Sequence, residues 1–380
     1  MMKIALLGFG TVGRGVYEQF ARRKDMAVAR ILVRRDIPEI AGLATRNIEE
    51  IVADPSIDTV VEVMGGLHPA YEYICAALHR GKHVVTANKA VVSAYYRELT
   101  DLARENHAAL RCTAAVGGGI PWLVNLERCR RIDRIDEVRG IMNGTSNYIM
   151  DAMHRSPAAF STILKKAQEL GYAEADPSAD IDGDDIRRKL VISANVAFST
   201  CLREEDIPMF GIRTVTDRDI DAFRERGYVC KLLATARRTE GGAAAWLEPT
   251  LVASDSLEAA VLANYNLITF HSEYLGWQSY FGQGAGRFPT ASNVTQDCLD
   301  ILLGERDFYA PAGDTLPLQN DTVRRSYYVR TVSPDPWLSA QTVSQMGGGI
   351  QTAPVSTGEM LTWANRQLTE DPACFIAAIG

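Results

Sequence analysis

The stretch KIALLGFGTVGRGVYEQFARR, Lys3 to Arg23, constrains the fold more than any other part of the chain. Ile4 to Leu7 form a short apolar run, as expected of a strand buried on both faces. Gly8, Gly10 and Gly13 follow in G-x-G-x-x-G spacing, and Val12, Val16 and Phe20 then recur at helical intervals. A glycine fingerprint carries weight only between a strand and a helix, which is where this one stands. Gly8 permits the tight turn, Gly10 lets the backbone approach a pyrophosphate, and Gly13 lets helix and strand pack closely. The helix N-terminus then meets the phosphates with its unpaired N–H groups. The expectation is an N-terminal doubly wound parallel sheet of Rossmann type that binds a nicotinamide dinucleotide.

The sequence that follows fits such a sheet. Val28 to Val33 read as the next strand, and Arg34-Arg35-Asp36 end it. An acid there grips a ribose 2′-hydroxyl and selects NAD, whereas arginines suit a 2′-phosphate. Two arginines against one aspartate favour NADP, with NAD left open. Thr59 to Gly66 and His83 to Val92 read as later parallel strands, with the helix PAYEYICAALHRG between them. Ala109 to Pro121 add a strand and then three glycines, which mark a close backbone approach.

The second part of the chain reads as α+β. A strand from Glu137 to Met142 precedes a turn at Asn143-Gly144 and a helix capped by Thr145 or Ser146. The helix AAFSTILKKAQELG ends at Gly171, and a long apolar helix runs from Asp184 to about Thr200. VCKLLATARRT, AAWLEPTLV and NLITFHS read as strands, and YFGQGAG as a glycine-rich turn before a helix from Ala291 to Leu303. From Tyr327 the pattern becomes β-α-β-α-β, with WLSAQTVSQM helical. The expected division is 1–135 for the dinucleotide, 136–305 for substrate, catalysis and dimerisation, and 320–380 as a small C-terminal segment. The 291–303 helix is expected to pack back on the first domain.

Charge excludes some partners. With 40 basic and 47 acidic residues the net charge is −7, which disfavours nucleic acid or an anionic membrane. Arg128 to Arg134 form a short mixed run suited to a solvated helix end. The seven cysteines are odd in number and never spaced C-x-x-C, as befits reduced thiols in a cytosol rather than disulfides or a zinc site. No apolar window reaches a membrane span, and the apolar N-terminal stretch is too short for a signal peptide. The expected location is cytoplasmic.

The segment YAEADPSADIDGDDIRRKL, Tyr172 to Leu190, gathers six carboxylates between Glu174 and Asp185, followed by Arg187, Arg188 and Lys189. Asp185 and Lys189 are four apart and share a helix face. A solvated surface pair is one reading. The other is a proton donor: carboxylates keep the lysine protonated, the apolar stripe Ile186, Leu190, Ala194 and Ala197 lies alongside, and a carbonyl receiving hydride needs a proton.

Taken with the opening fingerprint, the blocks TANK (86–89), AAVGGGIP (114–121), NGTSNYI (143–149), LGYAEADPSADIDGDDIRRK (170–189) and GQGAGRFPTAS (282–292) make the chain resemble homoserine dehydrogenases. The resemblance runs in order from about residue 2 to 305. It implies reversible, NAD(P)-dependent reduction of aspartate 4-semialdehyde to homoserine. It implies that Lys189 is the proton donor and Lys89 a second essential lysine. Glu174 and Asp185 would hold the α-amino end of the substrate and Asp180 would support them, while Tyr172, Asn143, Gly144 and Thr145 line the pocket. The implied cofactor site comprises Gly8, Phe9, Gly10, Thr11, Val12 and Gly13, then Arg34 and Arg35, then Gly65, Thr86, Asn88 and Lys89. Gly284 and Gly286 pass near the nicotinamide.

A structural sodium ion is implied at the main-chain carbonyls of Val116, Gly118 and Ile120, although Thr113 stands where the family usually has glutamate. The C-terminal segment resembles an ACT regulatory domain one strand short, so it is either an effector site or a dimer contact. The implied assembly is a homodimer or larger homo-oligomer. A paralogue that senses an amino acid, or acts on another γ-functional amino acid, is the alternative; turnover of homoserine separates the two. Phosphorylating semialdehyde dehydrogenases need a nucleophilic cysteine beside a base, a constellation absent from this sequence.

Overall fold

The computed structural model describes residues 1–156, 158–305 and 313–380. They form two compact units. The first comprises Met1–Ile135, Val191–Arg203 and Gly282–Thr315; the second comprises Asp136–Leu190, Glu204–Phe281 and Leu316–Gly380.

The first unit is built on a six-stranded parallel sheet. Its strands are β1 (Met2–Leu7), β2 (Met26–Leu32), β3 (Ala44–Thr45), β4 (Thr59–Glu62), β5 (His83–Thr86) and β6 (Leu110–Arg111), in the order β3-β2-β1-β4-β5-β6. Alternation along β1 feeds two cores. Ile4 and Leu6 pack with Val16 and Phe20 of the Thr11–Ala21 helix and with Ala291, Val294 and Ile301 of the Arg287–Leu302 helix. Ala5 and Leu7 face Ile74 and Leu78 of the Ala70–His79 helix, together with Leu99. Both faces are covered, so Ile4 to Leu7, Val60 with Val61, and Val84 with Val85 are apolar at successive positions. β1 is flanked by β2 and β4, and the strand order reverses there. Ligands of open α/β sheets bind outside the strand C-termini at such a switch point.

The second unit holds a nine-stranded mixed sheet, with β7 (Ile135–Ile141), β8 (Tyr228–Thr239), β9 (Gly242–Ala253), β10 (Tyr265–Ser272) and β11 (Gly276–Gln283) from the middle of the chain. The later strands are β12 (Arg324–Arg325), β13 (Tyr327–Arg330), β14 (Thr342–Met346), β15 (Gly349–Thr352), β16 (Val355–Ser356) and β17 (Phe375–Ile379). The order is β11-β10-β7-β8-β9-β17-β13-β15-β14, while β12 and β16 make a separate pair. β8 and β9 form a long hairpin, Tyr228 opposite Ala253 at one end and Thr239 opposite Gly242 at the other. β17 runs parallel to β9 and antiparallel to β13.

The structure departs from the sequence expectations at five points. The C-terminal segment is β-α-β-β-α-β, not β-α-β-α-β. Its helix stops at Gln341, and the β-branched Thr342 and Val343 begin a strand that turns at Gly347-Gly348 to pair with β15. It is also not a separate segment, because β17 hydrogen-bonds to β9 inside one sheet. The strand expected from His83 to Val92 ends at Thr86, since Asn88 caps a helix from Lys89 to Ala94. The helix after β7 is capped by Asn143, not Thr145 or Ser146. The sequence before the 282–286 glycines, expected as a turn, includes β11, whose residues alternate between half-buried and exposed.

Candidate active site

The cofactor-side residues gather at the C-terminal edge of the parallel sheet. Gly8 has φ +103°, a left-handed conformation that favours glycine. A Cβ at Gly13 would stand 2.4 Å from the Gly8 carbonyl oxygen, so helix and strand approach only without one. A Cβ on Gly10 would meet no atom within 4 Å, leaving an open cradle above the fingerprint. Gly10 caps the Thr11–Ala21 helix without a side-chain hydrogen bond, and no acid lies in its first turn. This end suits a diphosphate. Phe9 packs edge-on to Tyr17 while Arg14 lies over its ring. Thr11 is exposed and Val12 half-buried beside them. Arg34 and Arg35 are exposed at the end of β2, and Asp36 is paired with Arg46 at 2.9 Å.

The neighbouring strand ends are braced by Glu62, which sequence reasoning missed. It is fully buried at the end of β4 and accepts from Thr86 Oγ1 at 2.6 Å and from the Met64 amide at 2.7 Å. Burial pushes its pKa up, against those hydrogen bonds. The only sequence signal was an acid closing an apolar strand. Asn88 donates to the Gly66 carbonyl at 2.7 Å and so tethers the glycine turn at Gly65. Lys89 is half-buried at the first position of the helix that Asn88 caps.

The second unit assembles the acidic segment. Asp184–Phe198 forms one helix, and one turn along it Lys189 reaches back to Asp185 at 2.7 Å. Lys189 Nζ also donates to the Met142 carbonyl at 2.6 Å, at the end of β7. Lys189 and Asp185 are each 8% exposed, so the surface-pair reading fails and the lysine does not point into bulk water. Asn143 ties the cluster together. Its Nδ2 donates to Asp180 at 2.6 Å and Asp185 at 2.8 Å, and its Oδ1 accepts from the Ser146 amide as the helix cap. Burial raises the pKa of Asp180, opposed by Asn143 and reinforced by the charge of Asp185.

The six carboxylates divide. Asp176 accepts from the Ser178 amide, Asp182 pairs with Arg213 and Asp184 pairs with Arg187, all local structural roles. Asp180 and Asp185 face Asn143 and Lys189. Glu174 is exposed, with its main-chain carbonyl accepting from Gln168, and it does not share the hydrogen bonds joining the other four. Thr145 donates to the Tyr172 carbonyl, and the Tyr172 ring packs edge-on to Tyr148 at 5.1 Å. Gly144 lies so close to Asn264 that a Cβ would stand 2.7 Å from its carbonyl. Asn147, not singled out from the sequence, fastens residues 261–265 by donating to Val261, Ala263 and Tyr265 carbonyls. Buried Lys231 donates to Asn147 Oδ1 at 2.9 Å, and burial pushes its pKa down to about 8.

Residues 117–120 meet the 282–289 loop that carries Gly284 and Gly286, the Gly119 amide donating to Gln283 at 3.2 Å. The implied sodium ligands do not fit an ion here, because the carbonyls of Gly118 and Ile120 both accept from Asn293 Nδ2. Among the described residues no group of three or more His, Cys, Asp or Glu is arranged to hold a metal. Nor, among the described residues, is any helix long and apolar enough to cross a membrane.

An open diphosphate cradle at a Rossmann switch point, and a buried ammonium within a carboxylate cluster, are what a nicotinamide-dependent oxidoreductase acting on a CH–OH group requires. Comparison with known proteins narrows the class. The model for the NAD-binding domain of homoserine dehydrogenase matches residues 8–112, and the model for homoserine dehydrogenase matches residues 121–299. The Synechocystis homoserine dehydrogenase is 41% identical, covering 79% of this chain and 73% of its own. The Bacillus subtilis homoserine dehydrogenase is 35% identical, covering 80% and 74%. The crystal structure of a homoserine dehydrogenase from Thiobacillus denitrificans superposes with a TM-score of 0.88 at 32% identity, covering 100% of this chain and 98% of that one. A hyperthermophilic archaeal homoserine dehydrogenase in complex with NADPH gives a TM-score of 0.69 at 26% identity, covering 80% and 98%. The chain belongs to the homoserine dehydrogenase family.

Proposed function

We propose that this protein interconverts aspartate 4-semialdehyde and L-homoserine with a nicotinamide cofactor, and that Lys189 donates the proton. The observation that carries the reading is the buried Lys189–Asp185 pair, joined through Asn143 to Asp180. The cradle of Gly8 to Gly13 would hold the cofactor, which would supply hydride for the aldehyde carbon. Lys189, kept charged by Asp185, gives a proton to the carbonyl oxygen, and the C=O bond becomes C–OH; in reverse the amine takes that proton back. Asp180 and Asp185 face the substrate ammonium, whose arrival offsets the cost of burying two carboxylates together. Thr145, Gly144 and the Tyr172 ring frame the pocket, and Lys89 opens its helix beside the cofactor edge.

Arg34 and Arg35, both exposed just past β2, favour a 2′-phosphate over the single acid Asp36. Initial rates of homoserine oxidation, read as NAD(P)H absorbance with NAD and with NADP, test the reading. The expected result is turnover with both and higher kcat/KM with NADP. No turnover with either would favour an amino-acid sensor, and a preference for NAD would remove the arginines from the 2′-phosphate site.

Copies of the chain pair through the β11 edge. Trp277, Phe281, Tyr274 and Leu275 are 48%, 59%, 78% and 52% exposed there, and Leu262 adds 48%. An apolar edge of this kind is covered in a stable protein, and a two-fold axis lets one patch cover its own copy.

A further inference from the structure

We infer that the side-chain amide of Asn293 occupies the position an ion would hold, so that this enzyme is independent of monovalent cations and Asn293 positions the nicotinamide-side glycine loop. Asn293 lies two turns into the Arg287–Leu302 helix and is 7% exposed. Its Nδ2 has two hydrogens, and both are spent on main-chain carbonyls, Gly118 at 2.6 Å and Ile120 at 3.0 Å. The orientation of the amide is forced, because turning it over would aim Oδ1 at two carbonyl oxygens.

A cation held by these carbonyls would stand where the amide N–H groups already present their positive ends. Thr113 is neutral and adds no charge of its own. Thr113 donates its hydroxyl to Asp297 at 2.7 Å and its amide to the same carboxylate at 2.9 Å. Asp297 is itself committed to Arg111 at 3.2 Å. Hard cations need several oxygen ligands, whereas here a neutral donor already satisfies two of the three implied oxygens. Buried carbonyls need a partner, not a particular one.

The clip also has a mechanical consequence. A Cβ on Gly118 would stand 2.6 Å from the carbonyl of Gly284, and one on Gly119 would stand 2.8 Å from Pro289 Cβ. The 117–120 turn is thus wedged against the loop carrying Gly284 and Gly286. By fixing two carbonyls of that turn, Asn293 fixes the surface the loop rests on; it is a positioning residue.

The test compares wild type, Asn293→Ala and Asn293→Asp in NaCl, KCl and choline chloride at one ionic strength. Tm and the KM for NADPH are read for each. Wild type is expected to give the same Tm and KM in all three salts. N293A is expected to lower Tm by roughly 5 °C, from two lost hydrogen bonds and two stranded carbonyls. N293D replaces the donors with a carboxylate beside two carbonyls, which a cation or a proton would satisfy, so it is read at a pH well above the carboxylate range. Its Tm should rise and its KM fall saturably with sodium but not with choline. A wild-type Tm or KM that responds saturably to sodium or potassium overturns the proposal. Three variants equally indifferent to salt would remove Asn293 from the role. If N293D does not fold, the wild-type comparison still decides. The thermal readout needs no substrate, so its outcome is separate from that of the dehydrogenase reading on which the cofactor KM rests.

Discussion

Substituting Lys189 separates its contribution to stability from its contribution to chemistry. Lys189 and Asp185 are each 8% exposed and 2.7 Å apart. Lys189→Met keeps most of the side-chain volume and removes the charge. It leaves Asp185 buried beside Asp180 without its ammonium, though Asn143 still donates to both, and takes the Lys189 donor from the Met142 carbonyl. Removing one partner of a buried pair costs about 3–5 kcal/mol. Adding Asp185→Asn removes the stranded charge while keeping an oxygen for Asn143, so the double variant should regain most of that loss. Turnover should not return, because the missing proton donor costs about 10²–10⁴ in rate. Urea unfolding gives the first quantity and homoserine oxidation the second. A double variant no more stable than K189M would refute the electrostatic account, and wild-type kcat in K189M would refute the proton-donor role.

Burial pushes His154 down to about 4, helped by the nearby charges of Lys231 and Arg224, and its Nε2 accepts from the Cys230 amide at 2.8 Å. The unfolded chain therefore binds that proton first, at its ordinary pKa of about 6.5. The resulting stability is complete above that pH and is lost as pH falls toward the folded value. The loss amounts to about 2–3 kcal/mol after allowance for partial exposure. His154→Gln should flatten the difference between urea midpoints at pH 7 and pH 4.5, and parallel profiles would count against this reading. Placing glutamate at both Trp277 and Phe281 should halve the mass seen by sedimentation while each copy stays folded; an unchanged mass would move the interface elsewhere.

The parallel sheet was legible because each of its signals is local: a strand, a glycine turn and a helix lie within about twenty residues at Lys3 to Arg23. Lys189 and Asp185 were legible for the same reason, since helical spacing brings a lysine back onto its own carboxylate, whereas Asp180, on a separate short helix, came only from the family resemblance. Asn143 as cap and bridge was not, because its partners lie 37 and 42 residues away. Glu174 read as part of the cluster from its neighbours in sequence, yet the turn before Ser178 leaves it exposed. β11 was hidden by its glycines, and β14 because WLSAQTVSQM carries apolar residues at spacings that suit a helix as well as a strand. Asn293 and Glu62 gave almost no signal, as their roles come from main-chain atoms on other elements.

One consequence follows from where β17 lies. Phe375 to Ile379 are threaded between β9 and β13, parallel to the one and antiparallel to the other. Without β17, β9 would be an unzipped seam open to any stray strand. The sheet of the second unit is therefore continuous only with β17 in place. A displacement at the far strands would also be carried, through a shared ladder of backbone bonds, to the same hairpin that holds β7 and the lysine's carbonyl partner in register.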